Sequence, residues 1–127
     1  MISGQEKTLV ASIFSFVIGC ELYAIAGVYM TEIQLVALLV SSFISLLSLS
    51  ILGVSFTSYL KRRMVGMHSL EHALISATFL GGIHFGCFLW LTYELINREI
   101  LTPIYAIITA QLLPCFFILL FTIVITY

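Results

Sequence analysis

The sequence predicts an all-α integral membrane protein: four transmembrane helices in an up-down-up-down bundle, with both termini cytoplasmic. Three observations carry this. The chain has 127 residues, of which 61% are hydrophobic and only 9% charged, against roughly 25% charged in soluble domains. Its mean hydropathy is +1.19. Its apolar sequence falls into four runs, each about as long as the ~20 residues a bilayer core requires, separated by short polar breaks. A segment in lipid must satisfy its own backbone, and the short alternating segments of barrel strands are absent, so the runs read as helices.

Taken in order, residues 1–7 (MISGQEK) are polar enough to stay in water. The first helix is expected over about 8–30 and ends at Thr31-Glu32. The second, about 33–60, is closed by Lys61-Arg62-Arg63. The third, about 68–96, gives way to Asn97-Arg98-Glu99. The fourth, about 103–127, opens on Pro103, whose missing N–H costs nothing in a first turn. Together they make one transmembrane domain over 1–127, and short connections make neighbouring helices antiparallel. Lys7 and Lys61-Arg62-Arg63 fall on one side of such a bundle and Arg98 on the other. Basic residues in short loops stay inside, so both termini and the central loop are expected in the cytoplasm or its equivalent. The expected location is multi-pass, in a prokaryotic cell membrane or an organelle inner membrane.

Composition also excludes. A net charge of −1 and no long basic run give nucleic-acid binding no support. Cys20, Cys87 and Cys115 are odd in number and each sits inside an apolar run, as buried free thiols do.

Small residues predict where the helices touch, because membrane helices associate by close backbone approach. The candidate seams are Ser12, Ser15, Gly19 and Ala26 in the first helix, and Ser41, Ser45, Ser48 and Ser55 in the second. Ser69, Ala73, Ala77 and Gly81, followed by Gly82 and Gly86, mark the third, and Ala106 and Ala110 the fourth. Pro114 is expected to bend the fourth helix near Ala110.

Ionisable residues inside these spans are costly, at least ~2.5 kcal/mol each at mid-bilayer, and they pair. At ~1.5 Å per residue, Glu21 lies ~20 Å and His84 ~24 Å from the cytoplasmic ends of their helices, and Gln111 ~12 Å below the outer end of its own. Ser41 and Ser42 reach nearly the same level. Glu21, Ser41, His84 and Gln111 therefore define a buried polar layer with Glu21 and His84 as its natural pair. Such a pair suits a proton relay, and equally a polar knot that fixes helix register.

A second group lies where the third helix begins. His68 and His72 are spaced i, i+4, so two imidazoles could reach one metal. His68-Ser69-Leu70-Glu71-His72 also fits the H-x-x-E-H string of inverted zinc peptidases. No third ligand stands at a recognisable spacing, and an interfacial polar turn explains the same residues. All three histidines share one helix, which argues against an internal bis-histidine haem. The cofactor expectation is none, with a metal or a haem shared with a partner as the exception.

Glu21 in the first of four short helices is similar in outline to the small multidrug-resistance transporters, and beyond Glu21 no run matches that family. The leading expectation is a small non-catalytic subunit of a larger membrane complex, respiratory or otherwise energy-converting. Its partners would be the bilayer and other membrane subunits. The first alternative is a proton-coupled transporter or channel acting as a homo-oligomer through Glu21 and His84. The second is a metal- or haem-binding redox subunit.

Overall fold

The computed structural model describes residues 2–25 and 31–126. It contains four helices: α1 (Gly4–Ala24), α2 (Glu32–Arg63), α3 (Ser69–Asn97) and α4 (Pro103–Thr126). Each is long and apolar enough to cross a membrane. Residues 26–30, which the expected first helix included, and Tyr127 lie outside the described residues.

The polar heptapeptide at the start is not simply solvated, which corrects the expectation for residues 1–7. Ser3 caps α1: its hydroxyl accepts from the Glu6 N–H at 3.2 Å and donates to Glu6 Oε1 at 3.1 Å. Glu6 then turns inward, only 2% exposed, and the Lys61 ammonium from the far end of α2 donates to both its oxygens at 3.0 and 3.2 Å. A carboxylate can be buried there because a cation arrives to meet it. Replacing Lys61 by methionine strips Glu6 of that cation. The expected cost is about 1–3 kcal/mol, concentrated in faster amide exchange over residues 4–10; uniform protection would refute it.

Thr31 and Gln34 form a reciprocal capping box at the start of α2. That helix runs three residues past its expected end, because Lys61, Arg62 and Arg63 sit in its last turn and complement the helix dipole. Gly66, at φ 98°, makes the turn that follows. α3 ends in a six-residue cap: the Ile100 N–H reaches the Leu95 carbonyl, and the Glu99 N–H that of Ile96. Glu99 holds the left-handed position of this cap at φ 55°, where glycine is usual. A left-handed non-glycine costs ~1–2 kcal/mol and glycine's extra chain entropy ~0.5–1. Glu99→Gly should therefore stabilise the protein by about 0.5–1 kcal/mol, read as a rise in melting temperature; a fall would show that the Glu99 side chain carries an interaction of its own.

Contacts fix how the helices are laid together. α1 packs on α2 and α3, and α4 packs on the same two, while α1 and α4 do not meet among the described residues. α2 and α3 thus form the central pair. Glu6 meets Lys61, whereas Glu21 meets His84, so α1 runs antiparallel to α2 and parallel to α3. Ser42 faces Gln111 and Ser45 faces Cys115, so α2 and α4 run parallel.

Two glycines of the central pair let α1 come close. A Cβ on Gly53 would lie 2.6 Å from Phe14 Cε2 and 2.8 Å from Val10 Cγ1, and one on Gly81 would lie 3.0 Å from Val17 Cγ2. This corrects the seam expected on α1. Its inward face is the bulky set Val10, Phe14 and Ile18, while Ser12, Ser15 and Gly19 face outward. The small partner surface comes from α2 and α3 instead. On α3 and α4 the seams face inward at Ala73, Ala77, Gly81, Ala106 and Ala110, whereas Gly82 and Gly86 are exposed. α4 continues as helix through Pro114.

The apolar core has two parts. One holds Val10, Phe14, Leu49, Leu52, Phe56, Leu80 and Ile118 among others, and the other is Ile25, Leu38, Phe88, Ile107 and Ala110. Between them in sequence, every helix carries buried polar residues: Glu21 on α1, Ser41, Ser42 and Ser45 on α2, His84 on α3 and Gln111 on α4.

Candidate functional site

On α1, Glu21 lies between Ile18 and the C-capping Ile25; on α3, His84 lies between Leu80 and Phe88, and on α4 Gln111 follows Ala110. On α2, Ser41, Ser42 and Ser45 fall between Leu38 and Leu49. Each position is one helical turn from an inward apolar residue, so the periodicity that buries the core buries these groups too. Glu21, His84, Gln111 and Ser45 are all 0% exposed.

His84 is the hub. Its Nδ1 lies 2.8 Å from Glu21 Oε2, and its Nε2 lies 2.9 Å from the Gln111 carbonyl and 3.0 Å from Ser45 Oγ. A backbone carbonyl can only accept, so Nε2 must carry a hydrogen. That assignment leaves one proton to be shared between Nδ1 and Oε2. Either the imidazolium faces a carboxylate, or a neutral imidazole accepts from a carboxylic acid; both arrangements are neutral as a pair. A neutral pair is what a low-dielectric interior tolerates. Glu21 Oε1 has no protein partner, so the Glu21 carboxyl depends on His84 alone.

The network extends to α2 and α4. The Ser45 hydroxyl has two further acceptors within reach, Cys115 Sγ at 3.2 Å and the Gln111 carbonyl at 3.4 Å. The Gln111 amide donates to Ser42 Oγ at 3.4 Å. Pro114 has no N–H to offer the Ala110 carbonyl, and the neighbouring Gln111 carbonyl is the one that receives His84. One hydrogen-bonded group therefore joins all four helices.

Of the layer read from sequence, Glu21, His84 and Gln111 come together, and Ser41 does not join them. Ser41 is buried, but its hydroxyl donates to the Leu38 carbonyl of its own helix at 2.8 Å. Ser45 takes that place one turn later, and Cys115, one turn beyond Gln111, completes the group. Both were legible by helical spacing, Ser45 from Ser41 and Ser42, and Cys115 from Gln111.

His68 and His72 have other tasks. His68 precedes α3 as its N-cap, its Nδ1 accepting from the Leu70 N–H at 3.2 Å. His72 is buried, and its Nε2 donates to the Met64 carbonyl at 2.6 Å, tying α3 to the end of α2. Each imidazole thus has one nitrogen engaged by backbone. Among the described residues, no three histidine, cysteine or acidic side chains are grouped to hold a metal ion.

No family model matches the chain, and neither a curated protein nor a solved structure shows significant similarity to it.

Proposed function

We propose that this chain is a multi-pass membrane protein acting as a non-catalytic subunit of a larger membrane complex. One observation carries the proposal: the polar group is buried, with Glu21, Ser45, His84 and Gln111 at 0% exposure, and bonded across all four helices. Such a group fixes the register of a bundle and offers no entrance to a substrate. The outward surface is apolar over long stretches, including Phe43, Leu47, Ile51, Phe116, Phe117 and Leu120, as lipid or partner helices require. The basic end, with Lys7, Lys61, Arg62 and Arg63, would face the cytoplasm, and both termini with it. Purification in mild detergent tests the reading. Partners recovered at fixed stoichiometry support it, and a chain that purifies only as its own monomer or homo-oligomer refutes it.

The proton shared by Glu21 and His84 favours a second reading, a proton-coupled carrier built on that pair. Under it, Glu21→Gln abolishes pH-driven flux in liposomes. Flux left intact by the substitution, or absent from the parent protein, removes this reading.

A further inference from the structure

We propose that the outer face of the α1/α3 seam is a binding site for one anionic phospholipid, with its headgroup at the basic end and an acyl chain along the seam. The inference rests on the membrane-spanning reading given above.

α1 and α3 run parallel, so the groove between them begins where both helices begin. Its lower part, about 580 Å³, is lined by Gln5, Thr8 and Ser12 of α1 and by Leu70 of α3. Its upper part, about 390 Å³, is lined by Ile13, Phe16, Gly81, Gly82 and Phe85 among others. Gln5, Leu9, Ser12, Phe16 and Cys20 follow one another at steps of three or four, so both parts lie on one face of α1. The bulky Phe14 points inward and leaves Ser12 outward, while Gly82 has nothing within 4 Å of an added Cβ. The groove exists because the small residues of these two helices face out.

Its chemistry is graded. Both parts are mainly apolar; Gln5, Thr8 and Ser12 add an amide and two hydroxyls among Gly4, Leu9 and Leu70 in the lower part, against Thr78 and Cys20 among aliphatic and aromatic groups in the upper. From Gln5 to Cys20 is about 22 Å at ~1.5 Å per residue, close to one leaflet with its headgroup layer, about 20–22 Å. Charge points to an anion at the polar end. At that end of the bundle, above the groove's own lining, stand Lys7, Lys61, Arg62 and Arg63 against Glu6 and Glu71; Lys61 is engaged by Glu6, and Lys7, Arg62 and Arg63 are exposed. At the opposite end Glu32, Glu94 and Glu99 outnumber Arg98. A zwitterionic headgroup would gain little from that asymmetry, whereas each cation near an anionic headgroup strengthens its binding.

Native mass spectrometry of the full chain, released from micelles doped with phosphatidylglycerol or phosphatidylcholine, tests the site. The expected result is one retained phosphatidylglycerol, bound at least tenfold more tightly than phosphatidylcholine. Gly82→Phe and Ser12→Phe, which fill the groove from opposite walls, should each abolish retention with helix content unchanged. Replacing Lys7, Arg62 and Arg63 by glutamine should level the two lipids. Equal retention of both lipids by the parent chain, or retention surviving both groove substitutions, overturns the site. So does a dimer that both substitutions dissolve, which would assign the groove to a second copy. Recovery of the chain by detergent but not by carbonate shows the membrane reading intact when the lipid site fails; release by carbonate alone sinks both.

Discussion

Replacing His84 by leucine should lower the unfolding free energy of the bundle by about 3–5 kcal/mol, the cost of breaking a buried pair from one side. Glu21 would keep a buried carboxyl with no protein partner, because its Oε2 bonds only His84 and its Oε1 bonds nothing. The Gln111 carbonyl and Ser45 would lose the imidazole N–H in the same step. Ordinary interhelical hydrogen bonds in membranes average only ~0.6 kcal/mol, with a maximum of ~1.7. The larger expectation comes from the stranded carboxyl rather than from the lost bond. The double variant Glu21→Leu/His84→Leu should therefore recover most of the loss, since replacing both members of a buried pair by apolar groups is often neutral. Reversible unfolding in mixed micelles measures both. A single variant costing no more than the double one would mean that the carboxyl finds another way to be satisfied.

Phe14→Ala should cost about 2–4 kcal/mol. The side chain is fully buried and lies against both Gly53 and Gly81. Truncating a buried phenylalanine costs ~3–5 kcal/mol in water-soluble cores; apolar surroundings reduce the transfer part and leave the cavity. Gly53→Ala alone should cost about 1–3 kcal/mol by overpacking, because its new methyl would meet Phe14 at 2.6 Å. Joined to Phe14→Ala, that methyl enters the space just vacated, so the two losses should not add. Additive losses in a double-mutant cycle would show that α1 does not cross α2 at this point.

These two sites differ in how far the sequence revealed them. Depth along a helix is proportional to residue number, so Glu21, His84 and Gln111 could be placed at one level from the chain alone. Which way a helix turns its faces is set by its partners, and there the reading of α1 failed. Ser12, Ser15 and Gly19 looked like a packing seam because small residues permit close approach. In the structure the small surface belongs to Gly53 and Gly81, and a phenylalanine of α1 fills it. The same limit applies to Glu6: its burial depends on Lys61, and no local pattern announces a partner at the far end of the next helix. Ser41 and Ser45 show the finer version. They share a stripe on α2, yet only Ser45 reaches the imidazole, while Ser41 turns back to its own backbone.

The polar group that divides the two apolar cores holds the account together, and its hydrogen positions follow from one carbonyl. Ring-nitrogen NMR of the ¹⁵N-histidine-labelled chain in lipid, with the His84 signals identified by their loss in His84→Leu, reads those positions directly. The expected spectrum has His84 Nε2 protonated at neutral pH, with Glu21→Gln shifting Nδ1 far more than Nε2. An unprotonated Nε2, or an Nδ1 signal indifferent to Glu21, would contradict the pairing on which the bundle is argued to depend.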